Sequence, residues 1–448
     1  MLLLLLYSLL FPAVLGNVCL LVIAPSLSCF VRWGLAYGIG MGVISVWIFL
    51  LGAFNMALSW EAINIPLCVL LCFVFWRGRV LDQDRRIDSV RFSPDFVQWA
   101  FLAVIVINVM FTFFVATAYS AYSWDSIATI VMKSKVFFFE RSFEFNRNLP
   151  HASYPIHVSL MHFWVAANFA QWNDTVINIV QPCFYGSLLL LMYGVLRSFV
   201  SSRYALVGVF LLATSALFQF HATIAYTDIV LAYYTCAAVW LVLLGCHCGS
   251  SGSFAAAGLC AALACFTKLE GVIYSLIVAG LCVLGNVLYR EKSSWQKKIL
   301  AVVKVGLPPV LMFSAYLIFK IVYGVSLGEA GKTSIEFSAD FFHRLAHTVN
   351  SIRIDVFLSG NWGWNWLICI AGCALGFRSF RKPCTRYSAC AVLAFLCFDM
   401  VLFLFTPNFR WIVSSTTLLS RLILQSFPLV PFLSAIVLEE VFSKRSAK

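Results

Sequence analysis

One carboxylate in this sequence stands near two ammonium groups in otherwise apolar surroundings: Asp125, with Lys133 and Lys135 eight and ten residues on. A carboxylate so placed can accept a proton from a hydroxyl nucleophile, and the ammonium groups can neutralise a phosphate leaving group. A helix-capping Asp beside interfacial lysines accounts for the same residues. Asp228 opens an apolar run after HATIAYTD, where an Asp also serves as an N-cap or dipole partner. Lys268 and Glu270 lie in FTKLEG between two apolar runs. Residues two apart do not face each other on a helix, so this is a break between helices, eased by Gly271. Charges at such depth are expensive and often functional, although a snorkelling Lys beside a local acid gives the same pattern. Arg421 and Gln425 are four apart and share a helix face. Together they can grip a lipid phosphate through paired hydrogen bonds, or Arg421 can simply reach back to water.

Other constellations are weaker. His343 and His347 share a face but lack the acid of an HExxH motif, which favours an amphipathic surface helix. Cys246-His247-Cys248 lacks a second ligand pair at zinc spacing. Most of the sixteen cysteines lie inside apolar runs, where Cys acts as a small hydrophobe. Asn173-Asp174-Thr175 fits a glycosylation sequon that arises easily by chance.

Composition sets the elements that must position these residues. Of 448 residues, 62% are hydrophobic and 11% charged, against about 25% charged in a soluble protein. Apolar runs of about 20 residues, enough to cross a bilayer core, recur throughout. This predicts an all-α polytopic membrane protein with spans near 2–24, 33–53, 58–76, 99–119, 174–196, 203–220, 226–246, 253–268, 270–289, 298–322, 361–377, 388–405 and 421–441, thirteen in all. The first reads as a retained span, because it has no basic n-region and no clean cleavage site. Gly34, Gly38 and Gly42 recur every four residues, a spacing that admits a close helix neighbour. The net charge of +12 reflects Lys and Arg held on the cytoplasmic side of the membrane, not a nucleic-acid partner.

The stretch 154–170 decides the topology. It carries Tyr154, Pro155, His157, His162, Trp164 and Asn168, which suit a wet, amphipathic interfacial or re-entrant helix. If it does not span, the basic stretches 77–91, 197–203, 290–298, 378–386 and 444–448 all fall inside, where about twice as many Lys and Arg then lie as outside. The N-terminus is then outside and the C-terminus inside. Two large loops, about 120–173 and 323–360, face out, and Asp125, Asp228, Lys268, Glu270 and Arg421 lie on that outer side.

Five segments, in order over about 99–441, resemble bacterial GT-C glycosyltransferases, in particular the RgtA/B/C/D-like and dolichyl-phosphate-mannose-protein mannosyltransferase-like group. WDSIATIVMKSK resembles the first-loop Asp segment, and SYPIHVSLMHFW the tyrosine-proline segment. AYTDIVLAYY resembles the helix-opening Asp motif, FTKLEG the Thr-Lys-x-Glu-Gly turn, and TTLLSRLILQSFPLVP the last-span Arg segment. The resemblance implies a GT-C-like core over 99–448, with interfacial helices in its first external loop and 1–98 as N-terminal helices of unassigned role. It implies inverting transfer of a sugar from a polyprenyl-phosphate donor to a hydroxyl of a lipid or glycan acceptor, outside a bacterial inner membrane. Asp125 would be the base. Lys133, Lys135 and Arg421 would bind the donor phosphate. Tyr154, His157, Asp228, Lys268, Glu270 and Gln425 would shape the substrate cavity. Ser126 stands where the family often has a second acid, so no metal ligand is assigned and a divalent cation stays open.

Two rival classes make different predictions. A lipid-linked glycan polymerase or ligase acts on a pyrophosphate carrier and calls for more arginine than the scattered Arg141, Arg147, Arg344, Arg353 and Arg410. A transporter or flippase calls for inverted repeats and broken, charged helices near the midplane.

Overall fold

The computed structural model describes residues 2–81, 94–291, 293–326, 340–414 and 417–443, and every regular element among them is helical. The order begins α1 (Leu2–Ile23), α2 (Cys29–Ala53), α3 (Trp60–Leu81), α4 (Phe96–Ala118), a π-helical turn (Ser126–Val131), α5 (Met132–Glu140), α6 (His157–Phe169), α7 (Asp174–Ile177) and α8 (Val180–Leu196). It continues α9 (Ser202–Ala213), α10 (Ala216–His221), α11 (Asp228–Cys248), α12 (Ser251–Thr267), α13 (Glu270–Tyr289) and α14 (Trp295–Val322). It closes with α15 (Phe341–Phe357), α16 (Asn365–Leu375), α17 (Pro383–Phe405), α18 (Phe409–Ser414), α19 (Thr417–Ser426) and α20 (Leu429–Ser443).

Among the described residues nine helices are long and apolar enough to cross a membrane, or ten if α19 and α20, bent by 51° at Phe427-Pro428, form one span. The expected thirteen are therefore too many. The runs near 203–220, 253–268 and 361–377 form helices of only 12, 17 and 11 residues, α9, α12 and α16. At 1.5 Å per residue these reach about 18, 26 and 17 Å, short of a core about 30 Å thick. The apolar run containing α9 is interrupted at Thr214-Ser215. The start of α16 is delayed by Gly360 and Gly363, both at positive φ (76° and 56°).

At the centre lies α11, buried along almost its whole length and packed on α2, α8, α12, α13 and α19. The α2 glycine row explains how so many helices reach one another. A Cβ on Gly34 would come 2.5 Å from the Leu191 backbone of α8, one on Gly38 2.2 Å from the Tyr233 ring of α11, and one on Gly42 2.4 Å from Leu263 of α12. Each glycine thus seats a different neighbour. The Tyr233 and Tyr234 hydroxyls donate to the Gly34 and Gly38 carbonyls at 2.8 and 2.7 Å, locking α11 to α2.

The stretch 154–170 differs from expectation in one respect. It makes no span, since the 13 residues of α6 reach about 20 Å. It is not a wet interfacial helix, however: every residue of α6 is buried, under α1, α2 and α5. Several of its polar groups find partners inside the protein instead. Trp164 donates to the Ser8 carbonyl at 2.9 Å, Asn168 accepts from Trp60 at 3.1 Å, and Gln181 donates to His162 at 3.2 Å.

Short contacts gather several basic loops at one end. The Ser201 amide donates to Glu439 at 2.8 Å, Lys382 meets Glu440 at 2.5 Å, and Arg290 lies over the Phe254 ring at 5.5 Å. Residues 82–91 of the loop 77–91, the stretch 444–448 and residues 327–339 of the loop 323–360 lie outside the described residues.

Candidate functional site

Asp125, Asp228, Lys268 and Arg421 come together at the end of the bundle away from those basic loops. Each acid is freed for this by its local structure. Asp125 opens the π-helical turn but makes no side-chain cap, and π-turns inside helices recur at functional sites. Asp228 lies in the first turn of α11, one residue past the N-cap Thr227. The capping alternative is therefore not what either carboxylate does.

Arg421, on α19, bridges both. Its Nη1 donates to Asp125 Oδ2 at 2.6 Å and its Nε to Asp228 Oδ2 at 2.9 Å, while its guanidinium lies 4.8 Å from the centre of the Tyr226 ring. One turn on, Gln425 donates to Asp228 Oδ1 at 2.8 Å and accepts from the Tyr274 hydroxyl at 2.8 Å. Lys268 sits in the extended break between α12 and α13, where its Nζ meets Asp228 Oδ1 at 3.2 Å and Glu270 Oε1 at 3.0 Å. The break lets two residues that a helix would hold apart meet each other. Gly271 is needed there, since a Cβ would fall 2.0 Å from the Ala264 carbonyl oxygen. Asp228 is fully buried with three cationic or amide donors around it, whereas Asp125 is about a third exposed. Asp228 therefore holds Arg421 in place, and Asp125 faces the space in front.

Lys133 forms the facing wall. It is buried, and its Nζ donates to the carbonyls of His151 (2.8 Å) and Tyr154 (3.1 Å). Burial, with a smaller push from the Lys320 charge, brings its pKa down to about 7. The partly open space between them has Asp125, Thr129, Lys133, Tyr154, Lys268 and Arg421 on its walls and a volume of about 30 Å³.

Not every expected residue arrives. Lys135 is exposed, because residues two apart on α5 point to different faces; it is absent from the walls. His157 is buried one layer behind, its Nδ1 2.9 Å from Thr267 Oγ1 and its ring stacked on Phe266. Glu270 and Gln425 brace Lys268 and Asp228 and are not on the walls. Tyr154 is on the walls.

Sequence reasoning missed His221, Tyr226 and Tyr274. His221 Nδ1 lies 3.6 Å from Asp228 Oδ2 without a hydrogen bond, and burial pushes its pKa down to about 4 against the pull of Asp228. Tyr226 stands two residues before Asp228, inside a segment already singled out. Among the described residues no three His, Cys, Asp or Glu side chains are gathered for a metal ion. His343 and His347 pack on Phe409.

The fold and site define a multi-pass helical membrane protein whose buried charges meet at one end of the bundle. Residues 157–319, from α6 through most of α14, match the dolichyl-phosphate-mannose-protein mannosyltransferase family, to which the sequence motifs are also similar. That segment includes Asp228, Lys268 and Glu270; Asp125, Lys133 and Arg421 lie outside it. No curated protein and no solved structure matches the chain.

Proposed function

We propose that this chain transfers a sugar from a polyprenyl-phosphate donor to an acceptor hydroxyl, by inverting displacement, on the extracytoplasmic face of a bacterial inner membrane. The Arg421 bridge between Asp125 and Asp228 carries this reading, and the family of residues 157–319 supports it. The donor phosphate competes with Asp125 for the guanidinium, and on binding it releases the carboxylate. Asp125 then takes the proton of the acceptor hydroxyl, whose oxygen attacks the anomeric carbon. The bond from that carbon to the phosphate oxygen breaks, and its electron pair stays on the phosphate. Arg421 and Lys133 stabilise the charge that builds there. The basic loops at the opposite end favour the outward orientation. A single arginine on the walls favours a monophosphate over a pyrophosphate carrier.

Transfer of labelled sugar from a polyprenyl-phosphate donor by the purified protein tests the reading. Asp125→Asn should lower the rate by about 10²–10⁴-fold while donor still binds. An unchanged rate would overturn the catalytic role.

A further inference from the structure

Asp355, in the last turn of α15, is 1% exposed. Three neutral donors converge on its two oxygens. Asn361 donates to Oδ1 at 3.1 Å, the Trp362 indole to Oδ2 at 3.0 Å, and the Ser420 hydroxyl also to Oδ1. A carboxylate accepts from all three at once, whereas an amide in its place would turn an N–H against one of them. Asp355 has no ion pair among the described residues, and a carboxylate taken out of water without a cation is costly.

Ser420 immediately precedes Arg421 on α19. Successive residues of a helix lie about 100° apart around its axis. Arg421 and Gln425 tie one face of α19 to Asp228, and Ser420 ties an adjoining face to Asp355. Anchors on two faces fix the rotation of α19, which one alone leaves free to roll. A roll of about 20° carries a group at the helix rim, about 5–6 Å from the axis, through about 2 Å. That is enough to part Arg421 from Asp125 and Asp228, which it now holds at 2.6 and 2.9 Å.

The frame behind Asp355 is itself fixed. Trp362 is buried, with its ring 4.5 Å from that of Phe427 at the α19–α20 bend. The Asn361 carbonyl accepts from the Leu217 amide of α10 at 3.1 Å, and α10 ends at His221, beside Asp228. The segment that carries Asn361 and Trp362 therefore braces α10, α15 and the bend against one another.

We propose that Asp355 is a positioning residue for Arg421: through Ser420 it fixes the rotation of α19 that brings the guanidinium to Asp125. Its effect on rate rests on the transferase reading above; its effect on the place of Arg421 does not. α15, outside the matched family segment, thereby gains a part in the reaction without touching the substrate.

Two readouts on the full-length protein in lipid nanodiscs test this. The first needs no substrate. Asp125→Asn reports the Asp125–Arg421 pair through thermal unfolding. Its shift in melting temperature should be at least halved in a Ser420→Ala background, where the pair is already parted. Ser420→Thr keeps the hydroxyl and should keep the wild-type shift. Equal shifts in the wild-type and Ser420→Ala backgrounds overturn the proposal. The second is the rate of transfer, with labelled polyprenyl-phosphate mannose, glucose or galactose as donor and a cell-envelope lipid extract as acceptor. Ser420→Ala and Asp355→Asn should each lower kcat at least about tenfold and leave the donor KM within about threefold. In an Arg421→Lys background the same changes should cost less than about twofold, because the group they position is gone. An equal loss in both backgrounds marks a merely structural role and overturns the proposal. A wild type that transfers no sugar sinks the transferase reading, and the melting shifts then decide this inference alone.

Discussion

Lys133 is a residue whose protonation the fold strongly alters. It faces Lys320 and the His151 and Tyr154 carbonyls, with Asp125, Lys268 and Arg421 across the cavity. Its pKa is about 7 in the folded protein, against 10.5 for an ordinary lysine. Between these values the unfolded chain holds a proton that the folded one does not, so stability rises with pH across that window. Below pH 7 the folded state bears the full cost of the charge. Thermal unfolding from pH 6 to 10 should show this rise in the wild type, and Lys133→Met should flatten it. Much of the candidate site is legible at this scale, since Asp125, Asp228, Lys268 and Arg421 are charges in apolar surroundings and do meet. Lys135 lies off the walls because its position on α5 turns it to the exposed face, which charge alone does not reveal. His221 and Tyr274 act only through packing against Asp228 and Gln425, which spacing does not reveal.

At the scale of elements, close approach decides the packing. α1 and α2 run antiparallel so tightly that a Cβ on Gly40 would lie 1.8 Å from the Pro12 carbonyl oxygen. Gly40→Ala must push the two backbones apart, which should cost about 1–3 kcal/mol and lower the melting temperature. Gly280→Ala, which meets nothing within 4 Å, should leave it unchanged or slightly raised. The glycine spacing announced such contacts in advance, though not that three different helices would use it. Hydropathy found the long spans. It over-counted where Thr214-Ser215, or Gly360 and Gly363, cut an apolar run short. It also misjudged α6, because polar side chains read as wet when the partners that bury them, α1 and α2, lie more than a hundred residues away in sequence.

For the whole molecule, the two ends differ in charge and exposure. A membrane-impermeant maleimide applied to intact cells should label Leu358→Cys, exposed just after α15, and should spare the exposed Cys248 at the opposite end until the membrane is opened; mass spectrometry reads the sites. Labelling of Cys248 first would reverse the orientation proposed above. The ion pair between Asp125 and Arg421 joins residues 296 apart in sequence. A ribosome feeding this chain into a bilayer therefore delivers Asp125 long before Arg421, and the α19–α20 segment must insert and dock before their ion pair exists. A nascent chain stalled ahead of Arg421 can thus be membrane-embedded yet lack the ion pair on which the proposed chemistry depends.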